Sequence, residues 1–250
     1  MEKPFQTLEN IVDTIEKTKS LSPDRLAFYS YAHVPWIKGN GQRGFKDEDV
    51  PKDDEKRKLY EVGKKLLAKK GYHEIGMDHF ALEDDAMYSA FKEGNLHRNF
   101  MGYTASKTQL MFGLGASSIS DSWYAFGQNE KELEAYYKRL EHNEFAVFRG
   151  HLVTDEDLII RKHVLNLMCR FTTSWSADNL YFQEIQEVLN QLAEMESDGL
   201  IKITPNSLTV TEKGKPFVRN ICMAFDLRLK RRPNLFLNIL WKQTDLNTLQ

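Results

Sequence analysis

Four short runs in the first half of the chain carry side chains suited to binding a ligand. They are 31–36 (YAHVPW), 75–81 (IGMDHFA), 96–104 (LHRNFMGYT) and 113–120 (GLGASSIS). The first two follow apolar segments that are typical of buried strands. In parallel α/β folds, ligands bind beyond the carboxyl ends of the strands. The runs therefore predict a ligand site. A strand that simply ends in a loop containing His33, with no ligand, would produce the same pattern.

The third run combines a cation, an amide, two aromatic rings and a hydroxyl. Arg98 can bind a carboxylate with two hydrogen bonds, and Phe100 and Tyr103 can pack on the rings of a flat ligand. His97 is a second candidate for a carboxylate contact. The alternative is a loop that packs across the fold, with Arg98 in a surface ion pair.

The remaining chemistry-bearing residues do not predict a metal or dinucleotide site. The seven histidines have no H-x-x-x-H spacing. Asp78 and His79 are adjacent, so on an extended chain their side chains point in opposite directions. The G-x-G at 113–115 lacks the third glycine of a dinucleotide fingerprint. Cys169 and Cys222 are the only cysteines, too few for a four-cysteine cluster or a tetrahedral zinc site. We therefore expect no metal ligands here.

Composition indicates a globular protein that works without nucleic acid or membrane. Hydrophobic residues make up 41% and charged residues 28% of the 250 residues, with a formal net charge of -2. This charge provides no overall basic field for nucleic acid. The longest apolar stretches are about five or six residues, against roughly 20 for a membrane helix. With no targeting segment at the start of the chain, we expect a cytoplasmic protein.

Residues 1–122 alternate between helical and strand patterns. Helices are predicted over 8–21, ending at Ser22-Pro23, and over about 53–70, with Gly71 as the residue after the helix. Strands are predicted at 26–31, 72–77 and 109–115. Such alternation favours parallel strands covered by helices, so this region is expected to be part of an α/β sheet or barrel.

The pattern changes after a linker and helix at 123–150. Thr154 and Asp157 form a capping-box pattern before a helix that ends near Phe171. A second helix is predicted over 182–197, then a hairpin around Pro205-Asn206, then a helix from about Gly214. This order is that of a winged helix over residues 151–232. The apolar tail at 233–250 is expected either to dock on the body or to be poorly ordered.

The four runs, in this order, resemble the oxygen-independent coproporphyrinogen III oxidases. So do RG at 149–150, the turn from Thr211 to Gly214, and RNICMAFD at 219–226. The resemblance extends through about residues 5–232, which correspond to the C-terminal half of these enzymes. It implies the last part of a partial (β/α) barrel that ends at residue 122, followed by a mostly helical winged-helix-like domain.

The resemblance also implies a function. These radical S-adenosylmethionine (SAM) enzymes use SAM and a [4Fe–4S] cluster to oxidatively decarboxylate coproporphyrinogen III to protoporphyrinogen IX. Their cluster cysteines lie in an early C-x-x-x-C-x-x-C-x-C segment, which this sequence lacks. The chain alone is therefore expected to be inactive and to need an upstream, cluster-bearing half as partner.

Four positions take expected roles from the resemblance. Ala32 and Ile119 match positions that contact SAM, through backbone and packing. Phe100 and Met101 match positions beside the active-site cavity, and some relatives have a glutamine where Met101 stands. No catalytic residue can be assigned within this half. The candidates for binding substrate carboxylates, His97 and Arg98, together with Tyr103, rest on their chemistry alone.

Two other functions remain open from the sequence. One is a relative that binds haem or a porphyrin without converting it, which a haem titration would reveal. The other is a winged-helix regulator that binds nucleic acid through the basic run at 228–232, which salt-dependent DNA retention would reveal.

Overall fold

The computed structural model describes residues 4–29, 31, 33, 44–108, 110–175 and 180–231. These residues form two compact units, the first ending at Glu93 and the second spanning Gly94–Arg231. The chain is of the α/β class. The boundaries predicted at residues 122, 150 and 232 stay a prediction, and the tail at 233–250 lies outside the described residues. None of the described helices combines the length and apolar character that a bilayer span requires.

Among its described residues, the first unit contains three helices and a small sheet. The elements in chain order are α1 (Leu8–Leu21), β1 (Arg25–Ala27), α2 (Asp53–Lys69), β2 (His73–Gly76), β3 (His79–Ala81) and α3 (Ala86–Lys92), with a 3-10 turn at Asp47–Asp49.

Both long helices of this unit begin and end as predicted. The Thr7 side chain accepts a hydrogen bond from the backbone N–H of Asn10 and caps α1, which ends where Ser22 adopts a left-handed conformation. Gly71 follows α2 with a φ of 89°, which glycine adopts without the steric cost of a Cβ atom. Apolar side chains from α1, α2 and the sheet form one core: Ile11, Ile15, Phe28, Leu59, Leu67, Tyr72 and Phe80.

The expectation of directly paired parallel strands is wrong for this sheet. Its order is β1-β3-β2, and β3 is antiparallel to both neighbours. The cause is a tight turn after β2, in which Asp78 adopts a φ of 60° and folds the chain back. β1 and β2 do run in the same direction, as a helical crossover requires, but β3 lies between them.

The second unit is built from three sheets and six helices among the described residues. Its first part contains β4 (His97–Asn99), β5 (Gly102–Thr104), β6 (Ile119–Asp121), β7 (Ala125–Asn129), α4 (Leu133–Glu141) and β8 (Val147–Leu152). Its second part contains α5 (Asp155–Arg170), β9 (Thr172–Ser174), α6 (Ile185–Gln191), α7 (Ala193–Ser197), β10 (Ile201–Thr204), β11 (Ser207–Val210), α8 (Val218–Phe225) and α9 (Leu227–Arg231), with a 3-10 turn at Lys215–Phe217. The sheets are β4-β5, β6-β7-β8 and β10-β11-β9.

The strand predicted at 109–115 is not formed by its described residues. Met111 makes one isolated bridge to Asp121. The carbonyls of Gly113 and Gly115 accept hydrogen bonds from the Asn129 side chain, and the Gly113 N–H donates to the Ser120 hydroxyl. Because side chains satisfy these backbone groups, the segment needs no neighbouring strand.

The second part of this unit follows most of the predicted elements. The capping box at Thr154 and Asp157 is present, and the hairpin around Pro205-Asn206 forms as β10 and β11. The helix predicted over 182–197 is interrupted at Leu192 and becomes α6 and α7. The sequence patterns also missed β9, which pairs with β11 and completes the third sheet.

Candidate functional site

The LHRNFMGYT run forms the β4–β5 hairpin. Arg98 pairs with Tyr103 and Asn99 with Gly102 across the two strands. At the tip, the Asn99 side chain accepts a hydrogen bond from the backbone N–H of Met101. Gly102 adopts a φ of 126°, which disfavours any residue with a Cβ atom. Since side chains alternate along a strand, His97 and Arg98 point to opposite faces of the hairpin.

The two aromatic rings of this run are used within the unit. Phe100 is buried and meets Phe126 edge to face, with ring centroids 5.4 Å apart. Tyr103 is buried, and its hydroxyl donates to the Met168 carbonyl at 3.0 Å. Met101 is 84% exposed at the tip. These contacts hold the hairpin on the core, and the predicted contacts of Phe100, Met101 and Tyr103 with a ligand stay predictions.

Arg98 lies over the ring of its cross-strand partner. Its guanidinium carbon is 5.6 Å from the Tyr103 ring centroid, and no ion pair joins it to any residue that the structure describes. Its Nε is buried and has no hydrogen-bond partner among those residues. A buried donor left unpaired is costly, and a carboxylate is the partner that a guanidinium prefers. The surface ion pair considered for Arg98 is therefore absent from the described part of the chain.

A second group of charged residues, which the sequence patterns did not reveal, acts electrostatically on His97. We call the set of His97, Lys107, Asp121, Trp123 and Arg161 the His97 cluster. Both terminal nitrogens of Arg161 donate to the Asp121 carboxylate, at 2.9 and 2.7 Å. The side chains of this pair are 13% and 9% exposed, so a buried ion pair joins α5 to β6.

Aromatic rings and a second cation complete the His97 cluster. The guanidinium carbon of Arg161 is 5.2 Å from the Phe126 centroid and 5.9 Å from that of Trp123. The Lys107 ammonium is also 5.9 Å from the Trp123 centroid. Burial and the positive charges of Arg161 and Lys107 lower the pKa of His97, against a smaller opposing effect of Asp121. The imidazole is therefore neutral near pH 7.

One sequence signal could have found this cluster. Arg161 lies on the face of α5 that carries Leu158, Val164 and Met168, at helical spacing. A charge in the middle of an apolar stripe needs a buried partner. The identity of that partner, 40 residues away, has no local signal.

Ile119 and the GLGASSIS run form a compact turn before and within β6. Ile119 is half-buried and pairs with Gln128. A Cβ atom on Gly113 would lie 2.8 Å from the backbone of Ile119, so the glycine permits a close backbone contact within the protein itself. The SAM contact expected at Ile119 stays a prediction, and Ala32 lies outside the described residues.

The residues of the other two runs have partners in the first unit. His33 Nδ1 lies 2.5 Å from an Asp47 carboxylate oxygen, and His79 Nδ1 lies 2.8 Å from the Met77 carbonyl. Burial raises the pKa of Tyr60, and the nearby Asp78 and Glu74 carboxylates raise it further. The Asp78 carboxylate therefore influences the pKa of Tyr60, and the Met77 carbonyl orients the His79 ring.

The cysteines do not fit an iron–sulfur cluster. Cys169 and Cys222 are buried and free. Burial raises the pKa of the Cys169 thiol to about 12 and that of Cys222 further, whereas metal ligation requires thiolates. Within the described residues, no group of three or more histidine, cysteine or carboxylate side chains is placed to hold a metal ion.

Comparison with known proteins gives relatives over nearly the whole chain. No protein-family model matches. The oxygen-independent coproporphyrinogen III oxidase of Escherichia coli is 38% identical over 237 residues, which cover 93% of this chain and 52% of the relative. The enzyme of that name from Synechocystis is 36% identical over 238 residues, covering 92% of this chain and 51% of the relative.

A solved structure agrees with the sequence comparison. The structure of coproporphyrinogen III oxidase from Escherichia coli, a radical SAM enzyme, matches with a TM-score of 0.85 and 37% identity, covering 91% of this chain and 54% of that one. The chain thus spans about half the length of the relatives that it matches. The resemblance stated from the sequence motifs is confirmed, and the chain is homologous, along nearly all of its length, to about half of an oxygen-independent coproporphyrinogen III oxidase.

Proposed function

We propose that this chain is the C-terminal portion of an oxygen-independent coproporphyrinogen III oxidase and supplies part of its substrate-binding wall. The reaction would be oxidative decarboxylation of coproporphyrinogen III to protoporphyrinogen IX by SAM radical chemistry, in the cytoplasm. The observation that carries the proposal is 38% identity over 93% of the chain to an enzyme of that name.

The proposal gives the β4–β5 hairpin the role of a substrate contact. Coproporphyrinogen III carries propionate side chains, and Arg98 presents a buried Nε with no hydrogen-bond partner among the described residues. His97, Arg98 and Tyr103 would bind the substrate, Phe100 and Met101 would line its cavity, and Ala32 and Ile119 would contact SAM. Arg98 is the strongest of these candidates because a guanidinium can bind a carboxylate with two hydrogen bonds, and none of the described residues forms an ion pair with it.

The finer architecture is part of the proposal. Residues 1–122 would complete a partial (β/α) barrel, and residues 151–232 would form a winged-helix-like domain. The order α5, β9, α6, α7, β10, β11, α8 supports the second assignment, because β9 pairs with the hairpin strand β11.

Catalysis would require residues beyond this sequence. The two buried cysteines do not fit the cluster, so its ligands would come from an upstream half. We therefore derive no electron-transfer step from this chain, whose part is to bind and orient the substrate.

A chimeric enzyme tests the proposal. The half of the Escherichia coli enzyme that corresponds to this chain is replaced by it, and conversion of coproporphyrinogen III is measured without oxygen in the presence of SAM and a reductant. We expect protoporphyrinogen IX from the chimera and none from this chain alone. A chimera that is folded and holds its cluster but forms no product would overturn the assignment.

The same chimera tests the hairpin. Arg98→Lys keeps the positive charge but loses the two-pronged geometry, so we expect a higher KM for coproporphyrinogen III. Lys202→Gln, on the exposed side of β10, serves as the control and should leave KM unchanged.

The basic run does not favour the nucleic-acid alternative. Arg228 donates two hydrogen bonds to Asp157, and Arg231 pairs with Glu156 and Glu184. Because acidic partners within the unit already neutralise these charges, little remains to attract phosphates.

A further inference from the structure

Residues 113–118, which we call the glycine loop, have a backbone conformation that needs outside support. Gly115 has a φ of 96° and Ser117 a φ of 58°, and residues with a Cβ atom rarely adopt the left-handed conformation of Ser117. Leu114 is 89% exposed, so burial of the largest side chain in the loop contributes little to holding it. Such a backbone persists only where the surrounding structure restrains it.

Two amide side chains at the end of β7 supply this restraint. Nδ2 of Asn129 donates to the carbonyls of Gly113 and Gly115, at 3.1 and 3.0 Å. Nε2 of Gln128 donates to the Ser117 carbonyl at 3.1 Å. The two side chains therefore satisfy three carbonyls of the glycine loop.

The RG pair at 149–150 fixes the orientation of the Gln128 amide. Nε and Nη2 of Arg149 donate to Oε1 of Gln128, at 2.8 and 2.5 Å. Since a guanidinium only donates, Oε1 faces Arg149 and the amide nitrogen is left to face the loop. Gly150 permits a close approach of β8 to β7, because a Cβ atom there would lie 2.7 Å from the Phe126 carbonyl oxygen. The RG pair thus supports the contact between β7 and the glycine loop.

Ile119 is tied to the same contacts. It begins β6 directly after the glycine loop, and Gln128 is its partner across β6 and β7. A Cβ atom on Gly113 would lie 2.8 Å from the backbone of Ile119, so the loop packs directly on this residue. We therefore expect a change in the loop to reach the backbone of Ile119.

We propose that Asn129 and Gln128 are positioning residues that hold the glycine loop in the shape through which Ile119 contacts SAM. Both amides act through the loop, since they are bonded to its carbonyls. Loss of these hydrogen bonds would weaken SAM binding and leave the contacts of the porphyrinogen unchanged. The inference rests on the proposed function and extends it by two side chains of β7.

Kinetics of the chimeric enzyme test this positioning role. Asn129→Asp keeps the size of the side chain but cannot donate to the two carbonyls, so we expect KM for SAM to rise about tenfold and KM for coproporphyrinogen III to stay unchanged. Gln128→Glu still accepts from Arg149 and loses one donor, so KM for SAM should rise by less. Asn206→Asp, at the exposed turn between β10 and β11, is the matched control and should change neither KM.

The sign of the effect distinguishes lost hydrogen bonds from added charge. SAM carries a sulfonium, an ammonium and a carboxylate, and is therefore a net cation. A new carboxylate near SAM would attract it and lower its KM. A rise in KM for SAM therefore reports the loss of the hydrogen bonds to the loop.

Amide hydrogen exchange in the 250-residue chain gives a readout that needs neither SAM nor catalysis. The Gly113 N–H donates to the Ser120 hydroxyl, and the Ser117 N–H donates to the Glu130 carbonyl. By NMR, we expect both amides to exchange about tenfold faster in Asn129→Asp. Exchange in β11, the central strand of its sheet, should not change.

The outcomes distinguish this inference from the proposed function. A folded, cluster-bearing chimera that forms no product overturns the proposed function, and the inference with it. An active chimera whose Asn129→Asp variant keeps its KM for SAM leaves the proposed function standing and overturns the inference. Equal rises in both KM values would indicate a general loss of structure, and unchanged exchange of the loop amides would show that the loop needs no support from Asn129. Either result also overturns the inference.

Discussion

His163 shows how one buried residue couples the second unit to pH. It is fully buried, with Nδ1 2.8 Å from the Thr173 hydroxyl and Nε2 2.8 Å from the Leu180 carbonyl. A carbonyl only accepts, so Nε2 carries the proton and Nδ1 accepts from Thr173. The ring also stacks on Phe225 with centroids 5.3 Å apart. Protonation of Nδ1 would remove its acceptor function and place a charge in the core.

We expect this arrangement to make the second unit sensitive to acid. Burial lowers the pKa of His163 below its ordinary value of 6.5, so below that pH the unfolded chain binds a proton more readily than the folded one. The free energy of unfolding therefore falls as the pH drops below 6.5. Denaturant unfolding between about pH 7.5 and about pH 5 measures this slope.

The variants for this prediction are His163→Gln, which tests it, and His142→Gln, which serves as the control. His163→Gln should reduce the slope, and His142→Gln, at an exposed site after α4, should not. Some slope should persist in both because the pKa of His97 is lowered as well. A slope in His163→Gln as steep as in the unmodified chain would show that His163 is not the responsible group.

A second residue-scale prediction concerns the Asp121–Arg161 pair. Asp121→Ala leaves the Arg161 guanidinium buried without its partner, which should lower the free energy of unfolding by about 3–5 kcal/mol. Asp13→Ala breaks the exposed pair with Lys17 and should cost less than about 1 kcal/mol. Chemical denaturation compares the two variants.

Replacing both partners separates pairing from packing. In Asp121→Leu/Arg161→Met neither charge remains, and we expect most of the lost stability to return. If Asp121→Ala lowered the free energy of unfolding as little as Asp13→Ala does, the Asp121–Arg161 pair would not be buried in solution.

At the scale of elements, the absence of a side chain at Gly63 lets α2 pack closely against Phe28. Gly63 lies in the middle of the helix, where a Cβ atom would fall 2.2 Å from the ring of Phe28. That ring is itself fixed, with centroids 5.6 Å from Tyr60 and 6.5 Å from Phe80. Alanine favours an isolated helix over glycine by about 1 kcal/mol, so propensity and packing oppose each other here.

We expect packing to outweigh propensity, so that Gly63→Ala lowers the free energy of unfolding by about 1–3 kcal/mol. Adding Phe28→Leu should make the Gly63→Ala change less harmful than it is beside phenylalanine, because the smaller side chain leaves room for the methyl group. Thermal unfolding of the single and double variants measures this coupling. A more stable Gly63→Ala chain would contradict the close contact.

The elements also show where local patterns suffice and where they fail. Thr7, Ser22, Thr154 and Gly71 mark helix ends through caps and backbone conformations that depend on neighbouring residues, and these ends were predicted. The strand β3 was not, because its place between β1 and β2 depends on a single left-handed residue, Asp78, and on the pairing partners that the turn brings together.

At the scale of the whole molecule, the burial of both cysteine thiols opposes the binding of an iron–sulfur cluster by this chain alone. We expect that anaerobic treatment with iron, sulfide and a thiol reductant yields neither a cluster absorbance band nor stoichiometric iron. Deprotonating Cys169 or Cys222 is unfavourable at neutral pH, and a [4Fe–4S] cluster ordinarily takes four cysteine ligands.

The full-length Escherichia coli relative, treated in parallel, serves as the positive control for this reconstitution. Stoichiometric iron and sulfide with the EPR signal of a reduced [4Fe–4S] cluster in this chain would contradict the prediction.

Some properties of this protein follow from its sequence alone. The helices α1, α2 and α5 and the β10–β11 hairpin were predicted because periodicity and caps act over a few residues. The resemblance to the oxygen-independent coproporphyrinogen III oxidases was recognised because motifs such as GMDHFA and HRNFMGYT are contiguous runs of the sequence.

Only the tertiary structure decided which groups share a site. It joined Asp121 to Arg161 beside His97, brought the Tyr103 hydroxyl to the Met168 carbonyl 65 residues away, and inserted β3 between its neighbours. Such contacts depend on how whole elements pack, and no local pattern specifies which distant partner a buried polar group will meet.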